Sequence, residues 1–498
     1  MRRRLHLAPA LLVAACLLFG IAWLITNPPG FAPDEPEHYL KAVGISQGDV
    51  FGAPAPFTYL PVVDAEMLRW QNMNTRSVQV PAGMGTCLYY RMPIYGRCPE
   101  GPPPPTPARQ VTYVASYPPF SYVTAAALMR LGHTSISALL LGRLATLLLS
   151  TLLSGAAAAL SRSRRGSLSL LGLVVSVTPM VLFTFSELSA SGPEIASGLC
   201  FAAALIRLTD DDQPPGWLWL VLLLSGAVLA LSRTFGPVWV GFDVCWAVAL
   251  LGVHGMRLRL GAHRFWAWAT GTAIGAAISA NVGWQIAISP HPHVSVAALS
   301  HGVGAVLTGL PRLGREWIGV FGWEDVPLPR PAYVAWSLMI GLLLLTAFVL
   351  ANRRERWVLL GLGCGAGLLT IAVAVAIAAS APGFRMQTRY VLPIAVALPL
   401  LAGNYLHRHQ ERISARLRGI TVPAVILVAA ALHAWAIGAN AQFYLRNVEG
   451  RVSFIIPPGW RPPLGWSPWV TVIALGVVLL AAMALGGMRE QSFRGTQP

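Results

Sequence analysis

Asn27-Pro28-Pro29-Gly30-Phe31-Ala32-Pro33-Asp34-Glu35-Pro36-Glu37-His38-Tyr39-Leu40-Lys41 follows directly on the first long apolar run of the chain. It gathers Asp34, Glu35, Glu37 and His38 within one turn, in a protein of which only 11% of residues are charged. Asp34 with Glu37 three positions on predicts a helix start, Asp34 as the N-cap and Glu37 reaching back. Pro36 falls in the first turn, where its missing N–H costs little. The helix is expected to run to about Gln47 with Tyr39, Leu40 and Val43 on one side. Two readings stand. An acidic cluster at the water end of a membrane helix suits acid–base or metal chemistry; it also suits a solvated helix cap.

The apolar run before the motif begins Met1-Arg2-Arg3-Arg4, the outline of a signal peptide. No convincing small-residue cleavage site precedes Asn27, so it reads as a retained first helix. The whole chain agrees: 498 residues, 55% hydrophobic, with a mean hydropathy of +0.58. A soluble protein carries about 25% charged residues. The composition therefore predicts an all-α polytopic membrane protein. Its net charge of +16 is almost entirely arginine, Lys41 being the only lysine.

Apolar segments long enough to cross a bilayer predict about twelve spans, at 8–26, 136–160, 168–186, 190–207, 217–231, 235–253, 265–288, 332–351, 357–380, 391–406, 420–438 and 467–487. With the N-terminus inside, successive cytoplasmic loops carry Arg162, Arg164 and Arg165, then Arg257, Arg259 and Arg264, then Arg353, Arg354 and Arg356, then Arg408, Arg412, Arg416 and Arg418. The tail carries Arg489 and Arg494; the loop with Asp210, Asp211 and Asp212 is the exception. This is the positive-inside pattern, which puts both termini in the cytoplasm and explains the basic charge without nucleic acid. The localisation implied is a bacterial inner membrane.

On the outer side, 27–135 forms a long Pro-rich loop, expected to carry amphipathic helices, with an interfacial or re-entrant piece from Tyr117-Pro118-Pro119-Phe120 to about Leu131. Further outer loops are expected at 289–331 and 440–466. Residues 1–498 read as a single transmembrane domain with no soluble C-terminal domain. Short outer turns carry Glu187, Glu194, Arg233, Arg385 and Arg389. Cys87 and Cys98 share the first outer loop, on the oxidising side, and are expected to form a disulfide. The other four cysteines lie in apolar spans.

Asp34, Glu35 and His38 are the residues that would ligate a divalent metal, if any does, since carboxylate oxygens suit magnesium, calcium or manganese. A general base is the stronger reading of the carboxylates. Arg385 and Arg389, four residues apart, either snorkel to head groups or hold a phosphate; Arg233 sits at similar depth. Arg143 and Asp243 look intramembrane and are expected to pair with each other. Trp323, Glu324, Asp325, Trp460, Trp466 and Trp469 read mainly as interfacial belt residues, with acceptor binding as the lesser reading.

Taken together, Pro33-Asp34-Glu35-Pro36-Glu37-His38, Tyr117-Pro118-Pro119, Ser191-Gly192-Pro193-Glu194, Ser232-Arg233, Gly322-Trp323-Glu324-Asp325 and Gln387-Thr388-Arg389-Tyr390 resemble a large family of bacterial multi-pass proteins in the GT-C glycosyltransferase superfamily. The resemblance implies an inverting sugar transfer on the outer face, from a polyprenyl-phosphate-linked donor to a glycan, lipid or protein acceptor. It places the essential acid on Asp34 or Glu35; the outer arginines Arg233, Arg385 and Arg389, facing that acidic loop, would form the donor-phosphate site. Glu37, His38, Glu194, Trp323, Glu324 and Asp325 become candidates for acceptor binding or support. The rival class is a transporter or flippase, which favours polar midplane residues and symmetric halves.

Overall fold

The computed structural model describes residues 7–55, 75–84, 106–161, 168–288, 296–380, 386–445 and 461–494. Every segment read as a span carries helix. The protein is all-α and polytopic. Among the described residues six helices are each long and apolar enough to cross a bilayer: Leu7–Thr26, Ser135–Leu160, Arg330–Leu350, Arg353–Ala379, Ala415–Tyr444 and Ser467–Gly486. Two bent pairs raise the number to as many as eight. The remaining apolar helices are shorter, interrupted or more polar. Ser191–Asp210 holds Glu194 and Arg207, Gly216–Ser232 has 17 residues, and the segment read as 391–406 is divided into Leu392–Ala395 and Ala397–Arg408.

The segment read as one span at 168–186 is two helices, Leu168–Ser176 and Pro179–Phe185, bent by 68°. Pro179 cannot continue the preceding helix, and starts the next one with Thr178 as its N-cap. The break frees backbone acceptors. Trp336 Nε1 takes the Val175 carbonyl at 3.3 Å, and the Thr178 hydroxyl donates to the Trp317 carbonyl at 2.8 Å. A second bend, of 103°, separates Gly236–Leu251 from Val253–Ala262 at Gly252, whose φ is +82°.

The helix after the acidic motif runs Glu35–Ser46 with Pro36 in its first turn, as expected. The first outer loop differs from expectation. Beside that helix and a short Val123–Met129 helix it builds a three-stranded antiparallel sheet, Ala53–Pro54, Arg76–Val80 and Ala108–Thr112 in that order. Tyr39, Leu40 and Val43 pack there with Val78, Val80 and Tyr122 in a core of its own. The 289–331 loop contains a 23-residue helix, Val296–Ile318, and a hairpin pairing Val320–Phe321 with Val326–Pro327.

Packing follows what a bilayer demands. Along Arg330–Leu350, Trp336, Met339, Leu343 and Ala347 are buried, while Leu338, Leu342, Leu345 and Val349 are exposed. A helix apolar on all sides belongs in lipid or in a core. Leu168–Ser176 and Ala397–Arg408 approach through two glycines. A Cβ on Gly403 would lie 2.6 Å from the Gly172 Cα, so only glycine admits this contact.

Candidate functional site

The first surprise of the motif is its backbone. Asp34 sits in the left-handed region, at φ +59° and ψ +13°, and makes no side-chain cap bond. The expected capping by Asp34 is therefore not formed. Left-handed geometry costs a non-glycine residue on the order of 1 kcal/mol, least for Asp and Asn. Here it turns the carboxylate away from the helix and onto two partners. Arg389 Nη2 donates to Oδ2 at 2.6 Å, and the Tyr113 hydroxyl donates to Oδ1 at 2.6 Å. Burial pushes the Asp34 carboxyl up. The charges of Arg389 and His38, with the two hydrogen bonds, outweigh it and hold Asp34 below the usual carboxylate range.

Glu35, the other catalytic candidate, plays a different part. It is fully buried and bound in fork geometry by Arg143, Nε to Oε1 and Nη2 to Oε2, each at 2.6 Å. The backbone N–H groups of Gly30 and Leu188 donate to it as well, at 2.8 and 3.1 Å. With its oxygens occupied by four donors, Glu35 is a structural carboxylate. Arg143 also donates to the carbonyls of Leu24, Asn27 and Pro28, which lie at and just beyond the C-terminal end of the first helix. That end exposes unsatisfied carbonyls and a partial negative charge. A guanidinium there, counterbalanced by Glu35, ties the motif to the Ser135–Leu160 helix.

The expected Arg143–Asp243 pair is thus replaced by Arg143–Glu35. Asp243 is buried elsewhere and accepts from Trp246 Nε1, one turn along its own helix, at 2.9 Å. Spacing along separate spans did not reveal that the turn after the first helix dips Glu35 to the depth of Arg143.

Arg389 lies in a single turn of 3-10 helix, Thr388–Tyr390, and is almost completely buried. Besides Asp34 it donates to the Gln387 side chain at 2.5 Å and to the Pro33 carbonyl at 3.2 Å. The Glu187 carboxyl lies 3.9 Å from Nη1. Arg233 donates to the Ser191 hydroxyl at 3.0 Å and stands over the rings of Tyr117 and Tyr390, 5.4 and 4.8 Å from their centroids. The Arg389 guanidinium is 5.5 Å from the same Tyr390 ring. One tyrosine therefore sits beside both cations. Sequence separations of 156 to 355 residues are closed here. Arg385, the third arginine expected, lies outside the described residues, as do Cys87, Cys98 and Trp460.

The supporting candidates divide. His38 is buried, and its Nδ1 is hydrogen-bonded to the Tyr122 hydroxyl at 2.6 Å. Burial pushes its imidazole down to about 3, so it is neutral near pH 7. Burial pushes Glu37 up to about 7. Glu194 accepts from Trp239 Nε1 at 3.1 Å. Trp323 Nε1 donates to the Gly30 carbonyl at 3.2 Å, docking the 320–327 hairpin on the acidic motif. Asp325 accepts from the Trp323 N–H at 3.0 Å and so shapes its own turn. Glu324, at φ +66°, is pushed up to about 7, by burial first and by Glu316 second. Lys41, the lone lysine, is buried and donates to the carbonyls of Val50 and Ala115.

Asp34, Glu35 and His38 turn to three different partners and do not converge as metal ligands. Among the described residues no group of three or more His, Cys, Asp or Glu side chains is placed to hold a metal ion. Two cavities of about 670 and 690 Å3 are lined from the opposite ends of the helices, one around Arg207, Asp210 and Arg408, the other around Trp246, Arg354 and Trp357. Charge chemistry, more than volume, distinguishes the Asp34 cluster. Tyr113 is the member that sequence reasoning passes over, and Glu187, noted in an outer turn, is given no role by it. The polar run Ser186-Glu187-Leu188-Ser189 between apolar segments was the available signal.

Among solved structures, ArnT from Cupriavidus metallidurans bound to undecaprenyl phosphate aligns with 97% of this chain and 77% of its own, at 16% identity and a TM-score of 0.44. The same protein in the apo state aligns with 95% and 76%, at 14% identity and a TM-score of 0.39. No curated protein matches the chain. The model of the DUF2142 family, described as predicted membrane proteins, matches residues 17–398, and the chain belongs to that family.

Proposed function

We propose that the protein is a GT-C-type membrane glycosyltransferase that moves a sugar from a polyprenyl-phosphate donor to a hydroxyl acceptor on the extracytoplasmic face. The observation that carries this reading is the Asp34–Arg389 pair with Arg233 beside the same Tyr390 ring as Arg389. Two guanidiniums beside one ring repel each other, and an anion between them relieves that repulsion. A lipid-linked phosphate is an anion that reaches such a site from the bilayer.

In this reading Arg389 and Arg233 hold the donor phosphate and stabilise the charge that develops on it as the glycosidic bond breaks. Asp34 accepts the proton of the attacking hydroxyl. Paired with Arg389, Asp34 is a weak base. Transfer of Arg389 to the donor phosphate removes the strongest influence that holds Asp34 down, which raises its basicity when both substrates are present. Attack opposite the departing phosphate inverts the anomeric centre. No nucleotide motif is required. The transporter reading favours polar midplane residues, and the Arg143–Asp243 pair expected at that depth is not formed.

The test is Asp34→Asn. Asn tolerates the left-handed backbone as Asp does, so the variant folds. With purified protein and a panel of polyprenyl-phosphate sugars, transfer falls on the order of a hundredfold or more while donor binding is retained. Arg389→Ala instead weakens donor binding. Near-parental turnover by Asp34→Asn overturns the assignment.

A further inference from the structure

Glu187 lies at the break between Pro179–Phe185 and Ser191–Asp210, buried, and approaches Arg389 Nη1, whereas Asp34 holds Nη2. Arg389 thus stands between two carboxyls but hydrogen-bonds only one, Asp34 at 2.6 Å. Glu187 Oε1 accepts from the Ser189 hydroxyl at 3.0 Å. Its Oε2 is buried with no hydrogen-bond partner among the described residues. A second buried anion sharing one cation at 3.9 Å is an expensive arrangement; a carboxyl in that position lowers its cost by keeping a proton. A kept proton on Oε2 then has no acceptor, and a buried donor without an acceptor is itself costly.

We propose that Glu187 is part of the anion site: its carboxylic acid donates a hydrogen bond to the phosphate oxygen that Arg389 holds. An oxygen about 2.8 Å from Nη1, on the side that faces Glu187, can also come within hydrogen-bond reach of a carboxyl whose Oε1 is 3.9 Å from that nitrogen. Charge agrees. Arg233 and Arg389 already face Asp34, Glu194 and Glu324, so a neutral Glu187 keeps the site one negative charge lower for a phosphodiester, itself a single anion. An ionised Glu187 sets a further carboxylate against the phosphate. Burial first, and Glu35 next, push the Glu187 carboxyl up to about 8 against the pull of Arg389 and Arg143. The groups facing it are Arg389, the mutually neutralising Glu35–Arg143 pair and Ser189, with Asp34 beyond Arg389. The inference rests on the donor-phosphate reading above and deepens it.

The experiment measures binding of a polyprenyl phosphodiester, such as geranylgeranyl methyl phosphate, to the purified full chain in detergent. This probe keeps one negative charge at every pH used. For the parent, Kd rises about tenfold between pH 7 and pH 9, as expected when binding requires one proton on a group that titrates near 8. Glu187→Gln keeps a hydrogen-bond donor without the titration, and its profile is shallower by about one proton. Glu37, Glu194 and Glu324 are present in both proteins and cancel in the comparison. Parallel profiles for parent and variant overturn the role of Glu187 alone. A parent profile that is flat overturns it without any variant. No binding by the parent at any pH overturns the donor-site reading and this inference with it.

Discussion

Neighbouring carboxylates of one sequence motif end in opposite roles, and the difference lies in where the backbone sends them. Asp34 is turned out by its left-handed φ toward Arg389, whereas Glu35 enters the bundle and meets Arg143. Removing one member of a buried ion pair strands the other, at a cost of about 3–5 kcal/mol. Glu35→Ala and Arg143→Ala are each expected to lower folded yield and thermal stability by that order. The double variant is expected to lose less than the sum, although Arg143 also holds three carbonyls that remain unsatisfied in it. Additive losses in thermal denaturation would show that the two side chains do not act as a pair. His38 gives a second expectation at this scale. Its imidazole is pushed down to about 3 in the folded protein, against about 6.5 when unfolded. The unfolded state therefore binds more protons below pH 6.5, and stability declines as pH falls through that region toward 3. Over 1.5 pH units this amounts to roughly 2 kcal/mol. A denaturation series from pH 7 to pH 5 should show the decline, and His38→Gln should flatten it.

At the scale of elements, the sequence was legible where hydrophobic length alone decides. The starts and ends of the Leu7–Thr26, Ser135–Leu160 and Ser467–Arg494 helices fall within a few residues of the apolar runs, apart from the far end of the last. It was less legible where polar bonds decide. The bend at Pro179 depends on Trp336 and Trp317 arriving to accept its consequences, and these come from helices more than a hundred residues away. The sheet in the first outer loop joins strands with 27 intervening residues between Val80 and Ala108, so no local hairpin signal marks it. The site shows the same division. Asp34, Arg233 and Arg389 announce themselves as charges in an apolar chain, whereas their mutual distances are tertiary facts. Gly403 offers a test of an element contact. Gly403→Val inserts a side chain where the Gly172 backbone lies 2.6 Å from the Cβ position. Overpacking of this kind costs about 1–3 kcal/mol, and more where backbone must yield. A clear drop in melting temperature is expected for Gly403→Val, and a smaller one for Gly438→Val, where nothing lies within 4 Å. Equal effects at the two positions would mean that the helices do not meet as described.

For the whole molecule, the decisive matter is sidedness, because the proposed chemistry requires Asp34 and both arginines on the face that lipid-linked donors reach. Six helices pass the length and apolarity test, or eight with the bent pairs, and the arginine alternation reads about twelve spans. The length test covers the described residues only; the twelve-span reading, being even, is the one that puts the two termini on the same side. The arginine clusters then select which side. Arg353, Arg354 and Arg408 lie at the ends of their helices opposite the site, whereas Arg389 and Arg233 are the exceptions, drawn to the other end by Asp34 and Tyr390. Positive residues flanking spans favour the cytoplasm, so the site end is expected outside. Alkaline phosphatase folds only outside the cytoplasm and fluorescent protein fusions work inside it, which makes the expectation measurable. A fluorescent protein fused after Pro498 is expected to fluoresce and a phosphatase there to be inactive. Phosphatase inserted after Gly83, in the first outer loop, is expected to be active, since Gly83 has open space around it. An inactive insertion at Gly83, with an active phosphatase at Pro498, would invert the protein and place the Asp34 cluster where no outward-facing donor could reach it.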